Sequence, residues 1–177
     1  MKNIIAFAGS NSKKSINKQL AVHASGQLSE MNVTILDLND FELPVFGVDL
    51  EAKEGIHKNA LKFLEHIKSA DGIILSLAEH NGAYSTAFKN IFDWMSRVDG
   101  KLWSGIPMLL MATSPGGRGG ASVLEIAKNR FPHMGGNIVA DFSLPSFGNN
   151  FSEDGITDEA LNEEFKMAIG RFQSALK

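Results

Sequence analysis

The sequence predicts a three-layer α/β fold, in which a five-stranded parallel sheet lies between two layers of helices. Short apolar runs alternate with longer segments of helical period along the chain, which is the pattern of strands joined by crossover helices. The runs are almost continuously apolar, as in strands that are buried on both faces. Neither an internal repeat nor a change of composition divides the 177 residues, so we expect a single domain spanning residues 1–177.

The elements follow from these patterns in chain order. Five apolar runs predict the strands, at residues 2–8, 32–38, 73–78, 107–113 and 137–142. Segments with apolar residues on one face predict the helices, at residues 16–30, 56–69, 85–96, 121–131 and 157–176. The clearest helix is the third, because apolar residues recur at i, i+3, i+4 and i+7 from Phe88. Residues 39–55 include Pro44 and Gly47, so we expect a surface loop there.

Composition excludes several classes of function. A formal net charge of -3 gives no electrostatic reason to expect nucleic acid or an anionic membrane as partner. The absence of cysteine excludes dithiol chemistry and cysteine-ligated metals, and the five histidines lack metal-ligand spacing, so no metal site is expected. No apolar run approaches the roughly 20 residues of a membrane span, and no signal peptide is recognisable. We therefore expect a cytoplasmic protein.

The loop at residues 9–17, between the first strand and the first helix, is rich in hydroxyl and amide side chains. Backbone N–H groups at a helix start, here from Ile16 onward, lack intrahelical acceptors and bind phosphate readily. Further side-chain donors beside them are Ser10, Ser12, Ser15 and Asn17. The alternative is that Ser15 only caps the helix. Because the loop lacks both the G-x-G-x-x-G and the G-K-[ST] patterns, a phosphomonoester is favoured over a triphosphate with magnesium.

Two more distinctive loops follow the third and fourth strands. Residues 79–82 read Glu-His-Asn-Gly, and residues 114–120 read Ser-Pro-Gly-Gly-Arg-Gly-Gly. In a flavodoxin-like sheet of order 2-1-3-4-5, these two strands lie beside the first, and ligands bind at the switch point between strands one and three. We therefore expect the three loops to meet at one edge of the sheet.

Four segments resemble the NAD(P)H-dependent FMN reductases, a flavodoxin-like family that includes bacterial chromate, quinone and azo-dye reductases. Residues 9–17 match the pattern G-S-x-x-x-x-S-x-N, and residues 78–82 are similar to the P-E-Y-N-[GY] signature. The run K-N-x-x-D-W-x-S-R at residues 89–97 resembles the family's helix and is the most specific match. The Gly-rich loop at residues 114–120 is the least specific.

This resemblance implies an oxidoreductase with FMN as cofactor and NADPH or NADH as hydride donor. The electron acceptor would be a small molecule: a quinone, a metal oxyanion, an azo compound or free flavin. The implied FMN-binding residues are Ser10, Ser12, Ser15, Ile16, Asn17, Glu79, His80, Asn81, Gly82, Ser114, Pro115, Gly116 and Gly117. No single catalytic side chain is expected, because hydride transfer to a flavin depends on proximity and stacking. Backbone N–H groups of the Gly-rich loop would stabilise charge on the flavin.

Three positions depart from the family pattern. Ser12 stands where the family often has Arg, Ala78 where it has Pro, and His80 where it has Tyr. Unless Lys13 or Lys14 replaces the Arg, one positive charge is missing near the phosphate, and we expect FMN to exchange rather than stay bound. The resemblance also implies a homodimer or homotetramer built on the helix from Phe88 to Arg97. Trp94 lies off the apolar stripe of that helix, which is typical of a subunit interface.

Other functions fit the sequence less well. A flavodoxin-type electron carrier would have a T-x-T-x-x-T loop and a strongly acidic surface, and the chain has neither. A serine hydrolase is suggested by residues 112–116, but the first Gly of the elbow is missing and no His lies beyond His133. A receiver domain would have an acidic pair after the first strand, whereas this chain has Gly9 and Ser10 there. Glu79 could act as a general base, although a lone carboxylate at a strand end is more often structural.

Overall fold

The computed structural model describes residues 1–176. In this part of the chain the strands are β1 (Asn3–Gly9), β2 (Asn32–Leu36), β3 (Gly72–Leu77), β4 (Glu79–His80), β5 (Ala83–Tyr84), β6 (Pro107–Thr113), β7 (Asn137–Leu144), β8 (Phe151–Ser152) and β9 (Gly155–Ile156). The α-helices are α1 (Ile16–Ser25), α2 (Val48–Glu54), α3 (Lys58–Lys68), α4 (Thr86–Val98), α5 (Ala121–Arg130), α6 (Phe147–Asn150) and α7 (Glu159–Ala175). Short 3₁₀ turns lie at Leu38–Phe41 and Phe131–Met134. No helix among these residues is long and apolar enough to cross a membrane.

The central sheet has the order β2-β1-β3-β6-β7, and all four pairings are parallel. This confirms the predicted three-layer fold and the strand order 2-1-3-4-5. Alternate residues of β1 enter opposite cores: Ile5 and Phe7 face the core under α3, α4 and α5, whereas Ile4 and Ala6 face the core under α1 and α7. The inner strands are apolar almost throughout because both of their faces are buried.

Serine caps fix the helices that start beside the switch point. Ser15 Oγ accepts a hydrogen bond from the Lys18 N–H at 3.1 Å and so caps α1. Ser85 Oγ accepts from the Phe88 N–H at 3.1 Å and donates to the carbonyl of Gly9 at 2.7 Å. The second bond ties the start of α4 to the end of β1, and the caps thereby set the position of both helices at the carboxyl edge of the sheet.

Residues 39–55 are more ordered than the predicted surface loop. They contain α2, whose first turn carries Asp49 and Glu51 and which ends at Gly55 with φ 77°. Acidic residues near the N-terminus and a Gly with positive φ at the C-terminus are local helix signals. None of the residues of α2 is buried, so no apolar periodicity marked it. The first helix is also shorter than predicted, because α1 ends at Ser25 and Gly26 caps it.

Trp94 belongs to the core of this chain and is 1% exposed. Its indole N–H donates to the carbonyl of Pro44 at 2.8 Å, and its ring contacts Phe46 edge to face. The segment after β2 therefore covers the side chain. Its assignment to a subunit interface was wrong, because position on the helix alone did not reveal that a distant segment of the same chain folds over it.

Candidate functional site

The three distinctive loops follow β1, β3 and β6, and hydrogen bonds join them at the carboxyl edge of the sheet. Asn17, in the first turn of α1, bonds to the end of β6. Ser85, after the β4–β5 hairpin, bonds to the end of β1. Glu79, at the start of that hairpin, bonds to the first turn of α5. The sheet edge thus brings the predicted loops together at the switch point.

The loop after β1 is folded by its own serines. The Ser12 N–H donates to Ser10 Oγ at 3.1 Å, and the Lys14 N–H donates to Ser12 Oγ at 3.3 Å. A backbone bond from Ser15 N–H to the carbonyl of Ser12 closes the turn at 3.1 Å. Since both hydroxyl oxygens act as acceptors here, the O–H donors of Ser10 and Ser12 are left for a ligand.

The start of α1 presents free backbone donors. Ser15 caps the Lys18 N–H, whereas the N–H groups of Ile16 and Asn17 donate to no acceptor within residues 1–176. These two groups carry the positive end of the helix dipole. The helix cap and the anion site are therefore compatible, because the cap uses only one of the first N–H groups.

The side chain of Asn17 is bonded to neighbouring strands. Its Nδ2 donates to the carbonyl of Thr113 at 3.1 Å, and its Oδ1 accepts from the Thr113 N–H at 3.0 Å. Ser76 Oγ on β3 donates to the same Oδ1 at 2.7 Å. All three residues are buried. Ser76 was not predicted as a site residue, although a single polar residue inside an otherwise apolar strand is a recognisable signal.

The lysines beside the loop after β1 differ in whether they are free to bind an anion. Lys18 forms a salt bridge with Asp37. Burial alone would raise the pKa of Asp37, but hydrogen bonds from Lys18 and Asn39 hold it below its usual value. Lys13 and Lys14 are exposed and form no salt bridge within residues 1–176. They are the cations available to an anion bound in this loop.

The loop after β3 is a tight antiparallel hairpin of β4 and β5. Asn81 and Gly82 occupy its turn with φ 53° and 75°, which is the conformation of a type I′ turn. His80, Asn81 and Gly82 are exposed, and a Cβ on Gly82 would meet nothing within 4 Å. The Asn-Gly pair is a known hairpin signal, so this element was readable from the sequence although it was not predicted.

Glu79 is a structural cap on α5. Its Oε2 accepts a hydrogen bond from the Val123 N–H at 2.9 Å, which is one of the first N–H groups of a helix that has no side-chain cap of its own. A carboxylate there also complements the helix dipole. The structural interpretation of Glu79 therefore accounts for its position better than a general base does.

Tyr84 ends the hairpin with its hydroxyl group buried and without a partner in residues 1–176. Burial raises the pKa of Tyr84 to about 12. The phenol therefore stays protonated at neutral pH and does not serve as a general base. Its ring lies among Phe88, Phe92 and Phe131, so the hairpin is anchored on the aromatic core below it.

The Gly-rich loop after β6 rests on the segment after β7. The Ser146 N–H donates to the carbonyl of Gly116 at 2.9 Å, and the Phe147 N–H donates to the carbonyl of Ser114 at 3.1 Å. Ser143 Oγ donates to the carbonyl of Gly119 at 2.9 Å. Ser146 holds a left-handed φ of 47°. The segment after β7 thus supports the loop, a contribution that the sequence did not reveal.

Gly116 and Gly117 form the open face of this loop. A Cβ on Gly116 would come no nearer than 3.9 Å to Ser114 Oγ, and one on Gly117 would lie 4.0 Å from Ser146 Oγ. Both residues are exposed, and their N–H groups make no hydrogen bond within residues 1–176. Together with Pro115, also exposed, they offer backbone donors to a ligand that lies close to the main chain.

A cavity of about 470 Å³ opens beside the loop after β1 and touches it through Asn11. Its other lining residues come from the segment after β2 and from α4. The amide of Asn39 bonds to the carbonyl of Asn11, and that of Asn90 bonds to the segment after β2. The cavity adjoins the loop after β1 but does not include the hairpin or the Gly-rich loop.

The arrangement has two groups of free donors at one sheet edge. One group, at the start of α1, suits an anion. The other, in the Gly-rich loop, suits the polar edge of a planar group. Among residues 1–176 no cluster of three or more His, Asp or Glu side chains could hold a metal ion.

Sequence comparison relates this chain to known reductases. The sequence model of the NADPH-dependent FMN reductase family matches residues 2–149. The chain is 33% identical to the 2-hydroxy-1,4-benzoquinone reductase of Burkholderia sp. over 165 residues, which cover 85% of this chain and 86% of that protein. It is 31% identical to the quinone reductase of Escherichia coli strain K12 over 80 residues, which cover 45% of this chain and only 43% of that protein.

A solved structure with a similar fold is FerB, a flavoenzyme NAD(P)H:(acceptor) oxidoreductase from Paracoccus denitrificans. The TM-score is 0.76 and the sequence identity is 26%. The match covers 99% of this chain and 97% of that one, so it includes the sheet and the loops at its carboxyl edge.

Proposed function

The chain belongs to the NADPH-dependent FMN reductase family, and on this premise we propose that it is an oxidoreductase that uses bound FMN and a reduced nicotinamide to reduce a quinone. The observation that carries the proposal is the pair of donor groups at the sheet edge: free N–H groups at the start of α1 and free N–H groups in the Gly-rich loop. These match the two polar ends of FMN, its phosphate and its ring.

The residues at the start of α1 fit a phosphomonoester. The Ile16 and Asn17 N–H groups supply two backbone donors, and the Ser10 and Ser12 hydroxyls supply two more. The helix dipole adds partial positive charge. Ser15 holds the turn in shape as the helix cap. Phosphate binding there needs no magnesium ion, because hydrogen-bond donors surround the site from the loop and the helix.

The residues of the other two loops fit a flat ring. The Gly116 and Gly117 N–H groups would donate to the polar edge of the ring, and the absence of side chains lets it approach the backbone. Asn81 and Gly82 would line it from the hairpin, with His80 beside them. Ser114 and Pro115 would complete the wall.

When bound, FMN supplies the redox chemistry, accepting hydride from a nicotinamide and passing electrons to an acceptor. This chain's residues hold the ring in place and offer fixed N–H dipoles where negative charge develops on it. Such dipoles need no reorganisation during the reaction. In this proposal, no side chain of the chain is assigned the role of general acid or base.

A quinone is the acceptor that the comparisons favour. The Burkholderia and Escherichia coli relatives are both named as quinone reductases. A planar quinone can stack on an open flavin ring, and the exposed hairpin and Gly-rich loop leave such a face accessible. Metal oxyanions, azo compounds and free flavin are the other three classes of acceptor to be tested.

We further propose that residues 1–177 form one FMN-binding domain, which works in the cytoplasm where its nicotinamide donor is supplied. A homodimer or homotetramer stays part of the proposal, with α4 at the interface. Because Trp94 is covered by its own chain, the exposed residues Lys89 and Arg97 would provide that contact instead.

The test is steady-state oxidation of NADPH and of NADH by the purified protein with added FMN and 1,4-benzoquinone. We expect turnover that requires both FMN and the quinone, and parallel assays with chromate, an azo dye and excess FMN rank the acceptors. A protein that binds FMN but oxidises neither nicotinamide would be a flavodoxin-type electron carrier, and the proposal would be wrong.

A matched pair of variants ties the turnover to the site. Gly117→Val fills the open face of the Gly-rich loop and should abolish FMN-dependent turnover. Gly170→Val places the same side chain on α7, at an exposed position where a Cβ meets nothing within 4 Å, and it should retain turnover. Equal activity of the two variants would show that the ring does not lie against Gly117.

A further inference from the structure

We propose that Asn17 is a positioning residue, whose buried side chain holds the phosphate loop and the Gly-rich loop at a fixed spacing. The inference rests on the proposed function, since it assigns the two loops to opposite ends of FMN. It differs from the simpler expectation that the Asn17 side chain itself binds the phosphate.

The hydrogen bonds of Asn17 leave little of its side chain for a ligand. Both lone pairs of Oδ1 are used, by the Thr113 N–H at 3.0 Å and by Ser76 Oγ at 2.7 Å. Nδ2 donates to the carbonyl of Thr113 at 3.1 Å. The residue is only 2% exposed. A direct phosphate contact would have to reach the second N–H of an amide that is already enclosed by protein.

The amide completes the sheet where β3 ends. Pairing between β3 and β6 stops at Leu77 and Ala112, so Thr113 has no strand partner on that side. The N–H and C=O of one strand residue point to the same side of the strand. Asn17 bonds to both groups of Thr113 and so takes the place of a neighbouring strand. On its other side Thr113 pairs with Leu144 of β7.

Asn17 and Thr113, which these hydrogen bonds join, each lie next to one of the two groups of backbone donors. The backbone N–H of Asn17 is one of the two free donors at the start of α1, and Thr113 directly precedes Ser114, the first residue of the Gly-rich loop. Ser76 holds the same amide oxygen from the central strand. Movement of Asn17 would therefore change the spacing between the phosphate donors and the ring donors.

Measuring the affinity for two flavins distinguishes a positioning role of Asn17 from a direct contact between its side chain and the phosphate. FMN and riboflavin share the ring, and only FMN has the phosphate. If Asn17 positions both loops, Asn17→Ala should weaken FMN and riboflavin by similar factors, roughly tenfold or more for the loss of buried hydrogen bonds. If its side chain binds phosphate, the variant should weaken FMN alone.

We would measure both dissociation constants by quenching of flavin fluorescence, and record the visible absorption band of bound FMN. Ser12→Ala is the control for a phosphate contact, and should weaken FMN only. Ser76→Ala keeps two of the three bonds, so it tests the link even if Asn17→Ala does not fold. We expect Ser76→Ala to weaken both flavins several-fold and to shift the absorption band.

Weaker FMN binding in Asn17→Ala or Ser76→Ala, with riboflavin binding and the absorption band unchanged, would overturn the positioning role. Failure of the unmodified protein to bind either flavin would overturn the proposed function and this role with it. The two failures are distinguishable, because the first is seen only in the variants.

Discussion

Gly119→Ala should displace the Gly-rich loop and weaken flavin binding. Gly119 has a φ of 58°, which favours Gly. An added Cβ would collide with Ser143 Oγ and lie 2.9 Å from the backbone nitrogen of Pro145. Because this neighbour is backbone, it cannot rotate away. Relief requires the loop to move off the segment after β7, which carries Gly116 with it through the bond from Gly119 N–H to the Gly116 carbonyl.

The magnitude follows from two costs. A non-glycine residue in the left-handed region costs about 1–2 kcal/mol, and crowding of a packed site costs about 1–3 kcal/mol more. The free energy of unfolding should therefore fall by roughly 2–5 kcal/mol, which at ~2–4 °C per kcal/mol lowers Tm by roughly 4–20 °C. Gly105 has a φ of 73° and nothing within 4 Å of an added Cβ, so Gly105→Ala should cost only the first ~1–2 kcal/mol.

Thermal unfolding by circular dichroism and FMN titration of the same samples test this prediction. Gly119→Ala should lose more stability than Gly105→Ala, and only Gly119→Ala should lose affinity for FMN. If Gly119→Ala unfolds like the control and binds FMN normally, the contact between the Gly-rich loop and the segment after β7 does not position the flavin site.

Three more predictions concern other parts of the site. Ser12→Arg restores the charge that the family pattern has, and FMN affinity should rise roughly tenfold in a titration at low salt; an equal gain for riboflavin would contradict a phosphate contact. Glu79→Ala should lower the free energy of unfolding in urea by about 0.5–2 kcal/mol, because the Val123 N–H loses its acceptor, whereas Glu79→Gln should recover part of it; equal losses would exclude the cap. Burial lowers the pKa of His23 below its usual 6.5, so the unfolded chain binds the proton first and stability should fall as pH drops through about 6.5. The urea midpoint should then fall less between about pH 7.5 and pH 5.5 in His23→Phe than in the unmodified protein, and identical pH dependence would contradict this reasoning.

The strand order and the convergence of the three loops followed from the flavodoxin-like fold expected for the chain. The five strands themselves could be predicted because continuous apolar runs are a strong signal. Buried parallel strands and their crossover helices leave that pattern whatever the protein does. The local pattern of the loop after β1 was also sufficient to locate free donors at the start of α1. The β4–β5 hairpin was missed even though Asn81 and Gly82 carry its turn signal.

Contacts between distant segments were not predictable in the same way. The burial of Trp94 depends on residues about 50 positions earlier in the chain, through the bond to Pro44. The role of the Asn17 side chain depends on where β3 stops relative to β6, and helical or strand periodicity carries no information about that. Sequence patterns therefore indicated the candidate site, whereas the partners of its buried polar groups needed the structure.

The most direct test of the central claim is the visible spectrum of the purified protein with FMN bound, recorded before and after NADPH is added without oxygen. A flavoprotein oxidoreductase should show the yellow flavin bands, and NADPH should bleach them. Admission of 1,4-benzoquinone should then restore the bands. Failure to bind added FMN, or bound FMN that neither NADPH nor NADH reduces, would contradict the account.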